Sequence, residues 1–190
     1  EGNVGLHAGA AMRGGEITIE GSSSGWLGPE MIGGRITVKG DAGHMTGSGY
    51  RGSEIGMQGG EIIVHGNVKN ETGHAMRRGL IVVGGNSGDF TGVNMHAGTI
   101  IILGQMGMRT GAGMKRGSII SFNQAALLPT FSRNCEYHPS FIKFYFKYLE
   151  EIGFKIDPSH LNSTFERWSG DSIELNRGEI LLSMSKKQIK

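Results

Sequence analysis

The sequence predicts an all-β fold, a right-handed parallel β-helix with about 19 residues per coil, ending in a small extension with one α-helix and a short strand. Three observations predict it. Six methionines, Met12, Met31, Met57, Met76, Met95 and Met114, recur at spacings of 19, 26, 19, 19 and 19 residues. Each opens the same phrase, roughly M-x-x-G-x-I-x-V-x-G: MRGGEITIEG, MIGGRITVKG, MQGGEIIVHG, MRRGLIVVGG, MHAGTIIILG and MKRGSIISFN. Glycines recur at fixed offsets between the phrases.

Each phrase reads as a short strand. Counted from the methionine, position five is Ile17, Ile36, Ile62, Ile81, Ile100 and Ile119, and position seven is Ile19, Val38, Val64, Val83, Ile102 and Ser121. Thr18 and Thr37 stand between them in the first two copies. That is period-two alternation of β-branched residues. One such strand cannot bury its inner face alone. Stacking copies at the strand spacing of about 4.8 Å sets isoleucine on isoleucine.

The connections are equally regular. Position nine is Gly21, Gly40, Gly66, Gly85 and Gly104, and three residues before the methionine lie Gly9, Gly28, Gly73, Gly92 and Gly111. Thirty-one of the 34 glycines precede residue 120, so glycine serves the corners of the repeat and not a flexible linker. The 26-residue interval carries seven extra residues within DAGHMTGSGYRGSEIGM (41–57). An insertion in one repeat maps to a loop on one face, often a binding face.

The composition changes near residue 124, dividing the chain into repeats at 1–123 and an extension at 124–190. Phe141, Phe144, Tyr145, Tyr148, Leu149 and Ile152 follow helical spacing between Pro139 and Gly153, which predicts a helix at about 139–152. A short closing strand is expected near Glu179–Leu182. Net charge is +2, so nothing demands nucleic acid as a partner. The single cysteine, Cys135, excludes an internal disulfide and fits a reducing compartment, here expected to be the cytoplasm. No apolar run is long enough to span a membrane. The first repeat lacks a cap, so the native chain is expected to continue toward the N-terminus.

Familiar catalytic signatures are missing. His7, His65, His74 and His96 sit at offsets −5, +8, −2 and +1 from their methionines, in different columns, and no Cys/His pair has zinc spacing. GSGYRG (47–52) lacks the strand–helix context of a dinucleotide turn. Position four reads Glu16, Arg35, Glu61, Leu80, Thr99 and Ser118, not the carboxylate cluster that a polysaccharide-cleaving β-helix would need. No catalytic residue and no metal ligand is assigned.

Two surfaces could carry function. Position one reads Arg13, Ile32, Gln58, Arg77, His96 and Lys115, with Arg78 and Arg116 at position two. Three successive repeats place Arg77, His96 and Lys115 within about 10 Å of each other along one edge. This ladder is the candidate ligand site, suited to a polyanion or an acidic surface. The second surface is apolar. Position six runs Thr18, Thr37, Ile63, Val82, Ile101, Ile120, so the later repeats need a cover, from the helix at 139–152 or from another subunit.

The repeated phrase resembles a glycine-rich β-helix shared by two groups. One is the C-terminal domain of the large glutamate synthase subunit. The other is the C subunit of formylmethanofuran dehydrogenase, with its counterpart in the bacterial formyltransferase/hydrolase complex. The tail favours the second group. LLPTFSRN (127–134), the aromatic helix, and ERWSGDSIELNRGEILL (166–182) with its R-x-x-G-D and G-E-[IL]-L pieces resemble the ending of that C subunit. The resemblance implies a scaffold subunit in one-carbon metabolism that holds no cofactor itself. A molybdenum or tungsten pterin would reside in one partner and a two-metal centre in another, amidohydrolase-like partner. A methanofuran-type cofactor, with its anionic glutamyl tail, would be the substrate of the whole complex and a candidate for the basic ladder. The alternative is a structural domain of a glutamate synthase-like enzyme that links catalytic domains.

Overall fold

A computed structural model describes residues 2–184 of the chain. Six four-residue strands come first: β1 (Glu16–Ile19), β2 (Arg35–Val38), β3 (Glu61–Val64), β4 (Leu80–Val83), β5 (Thr99–Ile102) and β6 (Ser118–Ser121). The remainder supplies β7 (Ser132–Tyr137), helix α1 (Phe141–Glu151), β8 (Phe165–Gly170) and β9 (Gly178–Ser183), with two short 3-10 turns at Pro158–Asn162 and Ser172–Glu174. All nine strands join one sheet in the order β1-β2-β3-β4-β5-β6-β9-β8-β7.

Register follows the repeat. Ile17 pairs with Ile36, Ile36 with Ile62, and so on through Ile81, Ile100, Ile119 and Ile180, all in parallel pairs. A one-residue slip would turn this column outward, so burial itself holds the alignment. From Ile36 onward the column is fully buried, and Met31, Met57, Met76, Met95 and Met114 are fully buried beside it. Glycine suits the positions where the isoleucine of the next repeat approaches. Gly92 has φ +69°, and a Cβ there would lie 2.5 Å from Ile119 Cδ1; Gly73 has φ +72° and would meet Ile100 Cδ1 at the same distance.

The structure corrects the predicted fold class. Among the described residues the regular secondary structure is a single nine-stranded mixed sheet, mostly parallel and not closed, with one α-helix against it. It is not a right-handed parallel β-helix with about 19 residues per coil. Each repeat contributes only one four-residue strand. The rest of the repeat is turns and bends, tied to its neighbours by isolated bridges such as Val68↔Ser87 and Ser87↔Met106. Left-handed residues at those turns, among them Glu71, Ala75, Phe90 and Asn94, interrupt any second run of extended backbone. The turns are held by backbone bonds from repeat to repeat, such as Glu71 N–H to Asp89 O and Phe90 N–H to Met108 O, both at 2.9 Å, and by side chains. Asp41, Asn67 and Asn86 accept backbone N–H bonds from Asn67, Asn86 and Gln105, one repeat on, at 2.7–2.9 Å. The 19-residue period therefore reports in-register strands and repeated turns, and does not by itself supply further sheets.

The C-terminal segment holds more strand than expected. β9 includes the expected closing strand and extends the parallel array by pairing with β6. β8 and β7 then add antiparallel strands. β7, SRNCEY, is polar and almost wholly exposed, so no hydrophobic alternation marks it. Helix α1 packs on the outer sheet face: Ile142, Phe146 and Leu149 join Ile63, Val82, Ile101, Ile120 and Leu181 in a second apolar cluster. The later repeats thus get their cover from the chain's own helix.

The seven extra residues leave the register of β2 and β3 intact. Gly73 N–H bonds Thr46 O, whereas Met57 N–H bonds Gly47 O, so the additional chain is extruded between Gly47 and Met57. Tyr50, Arg51, Glu54 and Ile55 at its tip are exposed.

Candidate functional site

The residues that follow the methionines stack as the ladder requires. Backbone N–H groups of Arg77, His96 and Lys115 donate to Met57, Met76 and Met95 carbonyls at 2.7, 2.8 and 2.7 Å. The three side chains thus project from adjacent repeats. Arg77 is half-buried; its Nη2 donates to the Glu54 carbonyl at 3.4 Å, and its buried Nε has no hydrogen-bond partner among the described residues. His96 is half-buried, and Lys115 is exposed.

His96 joins two hollows. One, of about 400 Å³, is lined by Gln58, Arg77, Arg78 and His96 and includes no carboxylate. The other, of about 250 Å³, places His96 and Lys115 with His74, Glu54 and Glu174. Burial first, then the positive charges of Arg77 and Lys115, push the His96 imidazolium below its ordinary pKa, while Glu54 and Glu174 oppose that shift. At neutral pH the ladder presents the fixed cations of Arg77, Arg78 and Lys115 around a neutral imidazole. Such a group can hold an anion by charge and hydrogen bonds.

Glu54 and Glu174 stand outside the repeat columns. Glu54 comes from the extruded loop, so the seven extra residues were the available signal. Glu174 arrives from the 3-10 turn between β8 and β9, far away in the chain, with no sequence signal. The histidines are partly gathered: His74 and His96 share the smaller hollow despite their different columns. His65 lies elsewhere, its ring 4.9 Å from that of Phe154, and His7 stands beside Trp26 and Tyr50. Among the described residues, no group of three or more His, Cys, Asp or Glu side chains is arranged to hold a metal ion. No helix among them is long and apolar enough to cross a membrane.

No protein-family model matches the sequence, and no curated protein matches it. A solved structure does. The crystal structure of the formyltransferase/hydrolase complex (FhcABCD) from Methylorubrum extorquens, in complex with methylofuran, contains a chain that superposes with a TM-score of 0.88. The two are 33% identical, and the match covers 97% of this chain and 69% of that one. Identity at that level along nearly the whole length, with the same fold, is more than shared architecture, and the chain belongs to the family of that formyltransferase/hydrolase complex subunit.

Proposed function

We propose that this chain is the non-catalytic scaffold, the C subunit, of a formyltransferase/hydrolase-type or formylmethanofuran dehydrogenase-type complex in one-carbon metabolism. The observation that carries this reading is the 33% identity over 97% of the chain to a component of such a complex. The catalytic groups then belong to partners. An amidohydrolase-like subunit would carry a two-metal centre, and a pterin-binding subunit or its homologue would carry molybdenum or tungsten where the complex is a dehydrogenase. What this chain contributes is a stiff array of in-register strands with two outward surfaces, the basic ladder and the aromatic side of α1.

The complex would act on a methanofuran-type cofactor with an anionic glutamyl tail. In this proposal Arg77, His96 and Lys115 guide that tail, assisted by Arg78, and the buried Arg77 Nε supplies a donor that has no partner among the described residues. Electrostatic attraction of this kind weakens as salt shortens the Debye length to about 8 Å at physiological ionic strength.

Co-purification from the native host, with the bound subunits identified by mass spectrometry, tests the scaffold reading; amidohydrolase-like and pterin-type partners are expected, and recovery with glutamine amidotransferase or flavin subunits would overturn it. For the ladder, the triple variant Arg77→Gln, His96→Gln, Lys115→Gln is expected to weaken cofactor binding to the intact complex about ten-fold, roughly 1.4 kcal/mol. Unchanged affinity would remove the ladder from the site and leave the scaffold reading standing.

A further inference from the structure

Helix α1 carries two apolar stripes. Ile142, Phe146 and Leu149 are spent on the sheet. Phe141, Phe144, Tyr145 and Tyr148 recur at i, i+3, i+4 and i+7 and form a second stripe, turned to one side. With Glu61 and the strand edge, that stripe lines a groove of about 630 Å³. The Phe141 and Tyr145 rings meet at 83° with centroids 6.3 Å apart, a corner of two aromatic faces. Both tyrosines are held by their tips. Tyr148 donates its hydroxyl proton to Glu61 Oε2, and the Tyr145 hydroxyl lies 3.0 Å from the Thr99 hydroxyl. Phe144 is 75% exposed, so its ring adds nothing to the folded core of this chain.

Charge decides what such a groove takes. Glu16, Arg35 and Glu61 lie side by side in register along this edge. Arg35 is paired with Glu16. The Glu61 carboxylate has only the neutral Tyr148 hydroxyl as its hydrogen-bond partner among the described residues. Burial and that same hydrogen bond push the Tyr148 phenol up to about 12, so it stays protonated and cannot add a second negative charge. Lys143 and Lys147 sit on the same helix but do not line the groove. Arg35, the cross-strand neighbour of Glu61, is shared with Glu16, so the edge keeps an excess of one carboxylate, and Glu61 closes a trough with aromatic walls. A guanidinium fits that combination best: its flat faces stack on rings, and its N–H fork matches a carboxylate.

We propose that the groove between α1 and the strand edge is a docking site for an arginine side chain presented by a partner subunit. The inference rests on membership of a family whose solved member is part of a multisubunit complex. It does not depend on the ladder, whose residues lie in separate hollows.

Two measurements test it. In the first, the full chain with labelled aromatic rings is titrated with N-acetyl-arginine amide and, in parallel, with N-acetyl-citrulline amide, a neutral isostere. Saturable shifts of the Phe144 and Tyr148 rings are expected at concentrations at least ten-fold lower for the arginine probe. Glu61→Gln should abolish that preference, and Phe144→Ala, at an exposed position, should weaken both responses with the fold retained. Equal response to the two probes overturns the cationic assignment. In the second, hydroxyl-radical footprinting compares Phe144 in the free chain and in the assembled complex. A several-fold drop in its oxidation on assembly is expected, and equal oxidation in both states overturns docking at this groove. Loss of ladder function with Phe144 still protected would leave this inference intact, which keeps the two proposals separable.

Discussion

The two ends of the outer sheet face obey different rules. On β1 and β2 it shows Thr18, exposed, and Thr37, half-buried; on β3 to β6 it shows Ile63, Val82, Ile101 and Ile120, all sealed. The inner face does not change in this way: Ile36, Ile62, Ile81, Ile100 and Ile119 are buried in the same manner from repeat to repeat. One residue per repeat, at position six, therefore records where the chain's own C-terminal segment lies. A threonine marks strand surface left to water, and an isoleucine or valine marks surface that α1 and its neighbours cover.

The largest effect is expected when the cover is removed. Phe146 is fully buried, with its ring centroid 5.4 Å from that of Phe122. Phe146→Ala is expected to cost about 3–5 kcal/mol in chemical denaturation, whereas Thr37→Ala at the other end should stay within about 0.5 kcal/mol. Comparable losses at both sites would show that the helix does not distinguish them. Exchanging the face residues comes next. Ile101→Thr places a hydroxyl under the helix and is expected to cost about 1–3 kcal/mol, while the reciprocal Thr37→Ile should alter stability by no more than about 0.5 kcal/mol. A smaller effect is expected where the helix meets the strand edge. Tyr148→Phe deletes the bond to Glu61 and should cost about 1 kcal/mol or less, since the site is partly open to water.

Acidification is expected to have the smallest effect and to destabilise the fold. Burial lowers the pKa of His65, beside Phe154, and of His160, whose ring lies 4.3 Å from that of Phe122. Lys39 lowers His65 further, and Asp157 partly opposes the shift at His160. Both folded-state values fall below the ordinary 6.5, so the unfolded chain binds protons more readily. Stability is then fully present above that ordinary value and declines as pH drops toward the folded values. Thermal melts at about pH 7.5 and 5.5 should show a lower midpoint in acid, and a His65→Gln, His160→Gln double variant should narrow the gap. Both histidines flank the covered half, so an undiminished gap would place the acid-sensitive groups elsewhere.

Much of this was legible in the chain. The isoleucine column names its own strand partners, because only in-register pairing buries every member. The aromatic spacing after Pro139 marks a helix, observed at Phe141–Glu151. The apolar drift at position six announces a covered face. Other features left no local trace. β7 is polar and exposed, and it is a strand only because β8 offers it a ladder. Glu174 reaches the ladder hollow from another part of the chain. His74 and His96 share that hollow although their offsets differ, and Ser53 and Glu54 of the extruded loop line it with them.

Sequence alone therefore determined the repeat, its register and the inner apolar columns, since each follows from residues a fixed distance apart that must be buried together. Tertiary structure decided the rest: that one mixed, unclosed sheet forms, that its last strands run antiparallel, and that α1 returns over the later repeats. It also set the carboxylates beside the basic ladder and the aromatic groove beside Glu61. The physical reason is range. A period specifies which neighbours must align, but where a non-repeating tail comes to rest depends on the surfaces that the finished array leaves exposed.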